Sequence, residues 1–407
     1  MKKKWILTAC VCLVILLATS LWTGFWQKGP PQSDTIKVGF VCSEDESTPY
    51  TANFLRARYA LEEQFGDRVE VLTRSNVLSR DAERPMLELI RAGCQILFIN
   101  LDTEIPITLA RQYPEVTFCH ISMPDVSIEG STENYHTFNS EIYQARYVSG
   151  IAAGMKLKEL VENSRNTEGA EELHPEDGLV GFVGANSTAE VVSGYTAFML
   201  GVCHVVPEAT VRVRYTGSWG NYDAEREVTE QLISEGCLII AQHVNTSAPA
   251  AVCEQSTENG HPVYHVGYHE SMLDTMPNCA MVSIRTNWIP YITEAVQGVI
   301  DGKPIELAVN GNVHGRDISA GFDCGWVELL DLNQFIVPEG TKEAVDKAID
   351  DLKKGKLKVF SGDYTGVNPR NRGDVIYLNE EEFIENQYSS IASFNYRIED
   401  HILVEED

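Results

Sequence analysis

The chain contains two copies of one pattern. "SRDAERPMLELIRAGCQILF" (79–98) is answered by "NYDAEREVTEQLISEGCLII" (221–240). The flanks repeat as well. VGFV at 38–41 recurs at 180–183, V-x-V at 69–71 recurs at 211–213, and DAER at 81 recurs at 223, each 142 residues on. The Gly-Cys pairs at 93–94 and 236–237 are 143 apart. Landmarks kept in one order indicate duplication of a half-domain, and the period is far too long for a solenoid. Two similar lobes are expected.

Each copy decodes alike. VGFV, a short apolar run, reads as a buried strand. DAER opens a helix, with its Asp expected as the cap and its Glu suited to the positive helix start. Met86, Leu87, Leu89 and Ile90 recur near helical spacing, as do Val228, Leu232 and Ile233. Gly93 and Gly236 should end the helices in the left-handed conformation that glycine reaches cheaply. Apolar strands, "QILFIN" and "LIIAQH", follow. Alternating strands and helices with unbroken apolar strands imply an α/β fold, its parallel sheets covered on both faces.

A net charge of −27 argues against nucleic acid, whose phosphates require a basic face. At the N-terminus three lysines precede 22 uncharged residues, Trp5 to Trp26, enough to span a bilayer with the lysines inside and the body outside. A cleaved signal peptide is the rival reading. "LTAC" (7–10) imitates a lipidation site, but most of the apolar run follows Cys10. Either way the body is expected outside the cell membrane. There is no C-x-x-C, so neither zinc nor redox chemistry is expected. Cys42, Cys94, Cys119 and Cys237 fall in or beside strands, whereas Cys203, Cys253, Cys279 and Cys324 leave a disulfide open.

The expected organisation is a signal peptide or anchor at 1–28 and a linker at 29–35. An N-terminal lobe takes 36–140 and 270–304, a C-terminal lobe takes 141–269 and 305–360, and an acidic extension takes 361–407. Residues 141–162 read as an amphipathic helix, 163–178 as an exposed polar loop, and the extension as short strands and a cap, or as partly disordered.

Ligands of doubly wound sheets lie beyond the carboxyl ends of the strands. The residues just after the strands include Asp45, Ser47, Tyr50, Asn100, Glu190, Trp219, His243, Asn245 and His269; Trp288, at the start of the helix expected over 287–303, is a further candidate, for cleft or core. They are aromatic and hydrogen-bonding, suited to non-covalent binding. No G-x-S-x-G, P-loop or H-E-x-x-H occurs, and GFVGAN lacks the dinucleotide glycine spacing. No enzyme, metal or cofactor is expected.

Several segments in order carry a resemblance: "IKVGFV", "DAERPMLELIRAGCQILFI", "YQARYVSGIAAG", "EVVSGYTAFMLG", "VYHVGYHESM" and "VSIRTNWIPYITEAVQGVIDGK". Over roughly 36–365 the chain resembles the basic membrane protein family, substrate-binding lipoproteins of ABC transporters similar to purine nucleoside receptors. The resemblance implies a type I periplasmic-binding fold, two lobes joined by three crossovers. It also implies a cleft that closes on a purine nucleoside or base and delivers it to permease subunits. Tyr50 and Trp219 match the aromatic positions that sandwich the base, and Glu190, His243 and Asn245 fall among the polar contacts. Two departures stand out. Ser47, with Asp45 nearby, occupies a position usually acidic, and His269 replaces an acid in "GYHES". Fewer carboxylates for ribose hydroxyls bring a free base or another heterocycle into play. The alternative function is a membrane-anchored module that senses a small heterocycle and signals to a partner. An enzyme, such as a nucleoside hydrolase, would need a catalytic set that these motifs do not supply.

Overall fold

The computed structural model describes residues 35–404, apart from 125–127 and 129. The N-terminal lysines and apolar run, and with them the anchor or signal peptide, lie outside the described residues. Among the described residues no helix is long and apolar enough to cross a membrane.

The first sheet is built from β1 (Ile36–Cys42), β2 (Val69–Arg74), β3 (Ile96–Asn100), β4 (Thr117–Ile121) and β5 (Tyr135–Ser140). The second is built from β6 (Val180–Gly184), β7 (Val211–Tyr215), β8 (Ile239–His243), β9 (Tyr264–Tyr268) and β10 (Ala280–Thr286). Both are parallel and share one order. It is β2-β1-β3-β4-β5 in the first and β7-β6-β8-β9-β10 in the second. Later strands extend each sheet. β11 (Asn312–His314) and β12 (Asp317–Ala320) join beside β5, β13 (Val327–Leu329) beside β10, and β16 (Ile402–Val404) beside β7. Between β13 and β16 lies a small hairpin of β14 (Thr365–Val367) and β15 (Val375–Tyr377).

The repeated landmarks have a packing cause. A Cβ on Gly39 of β1 would lie 2.5 Å from Leu97 and 3.4 Å from the Cys94 sulfur. A Cβ on Gly181 of β6 would lie 2.8 Å from Ile240 and 3.2 Å from the Cys237 sulfur. The glycine and the small buried cysteine let the returning helix lie directly on the strand. Gly93 and Gly236 end those helices at φ +92° and +96°. In both copies the cysteine N–H then reaches back to a helix carbonyl, Leu89 or Leu232, at 3.1 Å.

Pairing with the third strand also repeats, Val38 opposite Ile96 and Val180 opposite Ile239. The V-x-V match does not keep register, because Val38 faces Val71 whereas Val180 faces Val211. The expected Asp caps are replaced too. Asp81 lies in a short 3-10 turn before the helix Glu83–Arg91, which has no side-chain cap. The helix Tyr222–Ser234 is capped by Asn221, whose side chain accepts from the Ala224 N–H.

The lobe boundaries also differ from expectation. β10 pairs with β9, so 280–286 stays in the second lobe, while β12 pairs with β5, so 317–320 belongs to the first. The chain therefore passes between lobes after Ser140, after Thr286 and after Ala320. The first two passages are tied together, Ser140 Oγ to Thr286 Oγ1 at 2.7 Å. All eight described cysteines are free, seven of them buried.

The segment read as amphipathic is the buried helix Ile142–Asn166, apolar around its first four turns apart from a few polar residues such as Arg146. It lies against the helix Ala189–Val205 at glycine contacts. A Cβ on Gly150 would sit 2.1 Å from the Phe198 carbonyl oxygen, and one on Gly201 2.0 Å from that of Tyr147. Because backbone blocks both, Gly150→Ala or Gly201→Ala should destabilise by about 2–3 kcal/mol or more, read as a lower urea midpoint. An unchanged midpoint would show that the helices can separate freely.

Candidate functional site

The two sheets present equivalent carboxyl ends to each other. Where strand order reverses, Cys42 of β1 pairs with Asn100 of β3, and Gly184 of β6 pairs with His243 of β8. These crevices are where open α/β sheets hold ligands. Asn100 and His243 are thus counterparts, both fully or almost fully buried. The helices that follow β1 and β6, Pro49–Phe65 and Ala189–Val205, carry a second matched pair, Tyr50 and Glu190, each at the second position.

From the first lobe, Tyr50 donates its hydroxyl to Asn100 Oδ1 at 2.8 Å. Its ring lies 5.1 Å from that of His269 of the second lobe. His269 directly follows β9 at φ +73°, an uncommon backbone for a non-glycine residue. That backbone is held by its N–H to the Ile284 carbonyl, 2.8 Å, and its Nε2 meets Asn245 Oδ1 at 3.2 Å. An amide oxygen accepts only, so Nε2 carries the proton and Nδ1 is left as a buried acceptor without a protein partner.

His243 stands 3.5 Å from the Glu190 carboxylate. Its ring is 5.7 Å from Trp219 and 5.1 Å from Tyr268. A Cβ on Gly194 would come within 2.6 Å of His243 Nδ1, so that glycine makes room for the imidazole. Trp219 sits on the turn after β7, where its carbonyl accepts from the Asn245 N–H at 2.8 Å.

Seven of the ten sequence candidates therefore form one cluster: Tyr50, Asn100, Glu190, Trp219, His243, Asn245 and His269. Three fall elsewhere. Ser47 is exposed and Asp45 is on the rim, accepting from the Ser47 N–H at 3.0 Å and Asn76 Nδ2 at 2.9 Å. Those bonds hold the Asp45 carboxyl down at about 2. Trp288 is taken up by the first lobe's core, edge-on to Phe54 and Phe138 at 5.7 Å each.

Two residues beyond the candidates organise the cluster. Arg146 is fully buried, its guanidinium 4.0 Å over the Tyr268 ring and its Nη1 donating to the Gln242 carbonyl at 2.6 Å. Tyr268 in turn stacks on His269, centroids 3.6 Å apart. A lone arginine among small and apolar residues in "YQARYVSGIAAG" was the available signal. Reading the whole stretch as a helix face concealed it. Near the mouth, Glu44 of the first lobe faces the Gly220 turn of the second. The buried Glu225 accepts from Thr246 Oγ1 at 2.6 Å, and burial pushes its carboxyl up to about 7.

Burial sets the charge state. It lowers His243 to about 4, helped by Arg146 and opposed by Glu190. It lowers His269 well below the usual histidine value, with Arg146 and His243 adding to the effect. Both imidazoles are neutral at pH 7, so the site offers uncharged donors and acceptors beside one cation and one carboxylate. Among the described residues no group of three or more His, Cys, Asp or Glu side chains could hold a metal. Among the described residues no serine, threonine or cysteine side chain is hydrogen-bonded to either imidazole.

Two α/β lobes with facing switch points and a polar-aromatic cleft define a two-lobed solute-binding protein. The chain belongs to the Bmp family, described as ABC transporter substrate-binding protein PnrA-like, which it matches over residues 47–356. It is non-enzymatic and acts outside the cytoplasm, binding a small molecule on behalf of permease subunits. A purine-binding protein of Brucella abortus is 26% identical over 346 residues, 83% of this chain and 87% of the relative. A Haloferax volcanii protein named for glucose binding in an ABC transporter is 27% identical over 337 residues, 82% of this chain and 76% of the relative. Solved structures share the fold. A solute-binding protein from Aeropyrum pernix superposes with TM-score 0.61 at 14% identity, covering 79% of this chain and 92% of that one. A transcriptional activator of the comK gene from Bacillus halodurans gives 0.59 at 20%, covering 79% and 99%.

Buried neutral histidines make stability depend on pH. His120 and His243 are lowered to about 4 and His265 to about 3, chiefly by burial, and burial also holds His269 well below the usual histidine value. The unfolded chain protonates them near pH 6.5, so their contribution is complete above that value and is lost as pH falls toward 4 and 3. Glu225, raised, acts in the opposite direction between about 4.5 and 7. His265 contacts Gln242 Oε1 at 2.9 Å. His265→Gln should therefore remove about one proton from the uptake on unfolding near pH 5, measured by calorimetry in buffers of different ionisation enthalpy. Unchanged uptake would mean that His265 is already charged in the fold.

Proposed function

We propose that the protein is the receptor of an ABC importer for a purine nucleoside or base, gripped between its lobes. The observation that carries this reading is the linkage of two flat aromatics from opposite lobes to one imidazole cluster. Tyr50 reaches it through His269, and Trp219 reaches it through His243. Such faces suit a planar heterocycle, since stacking contributes about 1–3 kcal/mol per base. The neutral acceptor on His269 and the free amide donor on Asn100 suit the donor and acceptor edge of a purine ring. The purine-binding name of the Brucella relative supports the same class. Asn100, Glu190, His243, Asn245 and His269 supply the polar contacts, Tyr50 and Trp219 the faces. Asp45 and Ser47 lie at the rim, and Trp288 backs the first lobe. In the cell the N-terminal segment holds the body at the membrane surface or directs its export.

Calorimetric titration of the purified protein with adenosine, guanosine, inosine, adenine, guanine, hypoxanthine and glucose tests this reading. At least one purine should bind, and Trp219→Ala should weaken it roughly 5- to 150-fold, the equivalent of one lost stacking face. Binding of glucose with no response to any purine would overturn the assignment.

A further inference from the structure

The family match ends at residue 356, yet the chain beyond it is built into the fold. Residues 361–404 are anchored on the second lobe. β16 pairs with β7 at that sheet's edge, and Phe394 stacks on Phe360 at 4.1 Å with Phe383 edge-on to Phe394 at 5.1 Å. Arg370 donates to the Ser187 carbonyl at 2.8 Å, and Thr196 to that of Tyr396 at 3.3 Å. The buried Glu385 accepts from the Ser393 and Phe394 N–H groups at 3.0 and 2.5 Å. Phe383 and Phe394 thus form a fixed base on the second lobe, and the ten residues 384–393 make a finger between them.

The tip of that finger contacts the other lobe. Ser390 donates its N–H to Asp317 Oδ2 and its hydroxyl to Asp317 Oδ1, both at 2.6 Å, and Ser389 donates its hydroxyl to Oδ2 at 2.9 Å. With the Ser390 hydroxyl proton on Asp317, Ser390 Oγ accepts from Ser122 of the first lobe, whose one hydroxyl proton is shared with Asp317 Oδ1. Asp317 opens β12, three residues before the last passage between lobes. Its remaining donors are Thr137 at 2.9 Å and Ser122 at 3.1 Å. Asp317 and Ser390 are both buried, so the contact is a sealed, charge-assisted set of hydrogen bonds.

We propose that this finger is an interlobe latch, which holds the first lobe against the second and favours the shut cleft seen here. In that arrangement the latch coexists with the Tyr50–His269 and Glu44–Gly220 approaches across the cleft. Rotation of the lobes must either break the Asp317 contacts or drag the finger from its phenylalanine base. Opening therefore costs more with the finger than without it, whatever ligand the cleft takes.

Hydrogen exchange on the ligand-free protein, followed by mass spectrometry, tests the latch without a ligand. One variant is Asp317→Ala. A second replaces residues 387–390 by glycine, which removes both serine hydroxyls from Asp317, keeps only the backbone N–H at 390, and leaves Glu385, Ser393 and the phenylalanine base in place. Exchange in the cleft segments 44–54, 218–221 and 243–246 should speed up about tenfold in both, one lost hydrogen bond to a charged group being of that order. Exchange in β1 and β6 should stay as in the wild type, showing that both variants fold. Cleft exchange equal to wild type in the glycine variant, with intact β1 and β6, would overturn the latch. Failure of the purine assignment would leave this result untouched.

Discussion

The pairing of each lobe's first strand with its third is the constraint on which the rest depends. It sets Cys42 beside Asn100 and Gly184 beside His243, and so opens a crevice at the carboxyl end of each sheet. Close helix-on-strand packing makes that pairing possible. Gly39 and Gly181 carry no side chain, and Cys94 and Cys237 are small enough to lie over them. Filling those positions would lift the helix from the sheet and spread the crevice. The fold's repeat and the site's symmetry therefore have one origin. Duplicating the half-domain duplicated a binding edge, and two edges facing each other make a cleft.

The two edges then diverged. The first lobe offers a phenol and an amide, Tyr50 and Asn100. The second offers imidazoles, an indole and a carboxylate, backed by Arg146 beneath Tyr268. A buried arginine beside two histidines would be expensive if the histidines were charged, and burial keeps them neutral. The cation is instead accommodated by the Tyr268 and Phe182 faces, 4.0 and 5.6 Å away, and by the Gln242 carbonyl. A neutral lining of this kind recognises a ligand by shape and by hydrogen-bond direction more than by net charge.

Much of this was legible in the sequence, because spacing records backbone requirements. The Gly-Cys repeat marked the helix ends, and the residues following strands marked most of the cluster. What the sequence hid was which sheet a strand joins. "AMVSIRT" is an apolar strand in either lobe, and only pairing with β9 places it in the second. Trp288 resembled Trp219 as an aromatic near a loop, but the helix it starts turns it into the core. Asp45 and Ser47 lay in the right loop, whose backbone carries them to the rim while Tyr50 swings inward. The acidic extension read as short strands and a cap, or as partly disordered, and short strands are there; its anchorage stayed hidden because Phe360, Phe383 and Phe394 meet only through the fold.

The most direct test of the two-edge cleft is a crystal structure of the protein grown with the tightest-binding purine. The account predicts one bound molecule between the lobes, with Tyr50 or Asn100 on one side and Trp219, His243 or His269 on the other. Density confined to a single lobe, or away from Asn100 and His243 altogether, would contradict it.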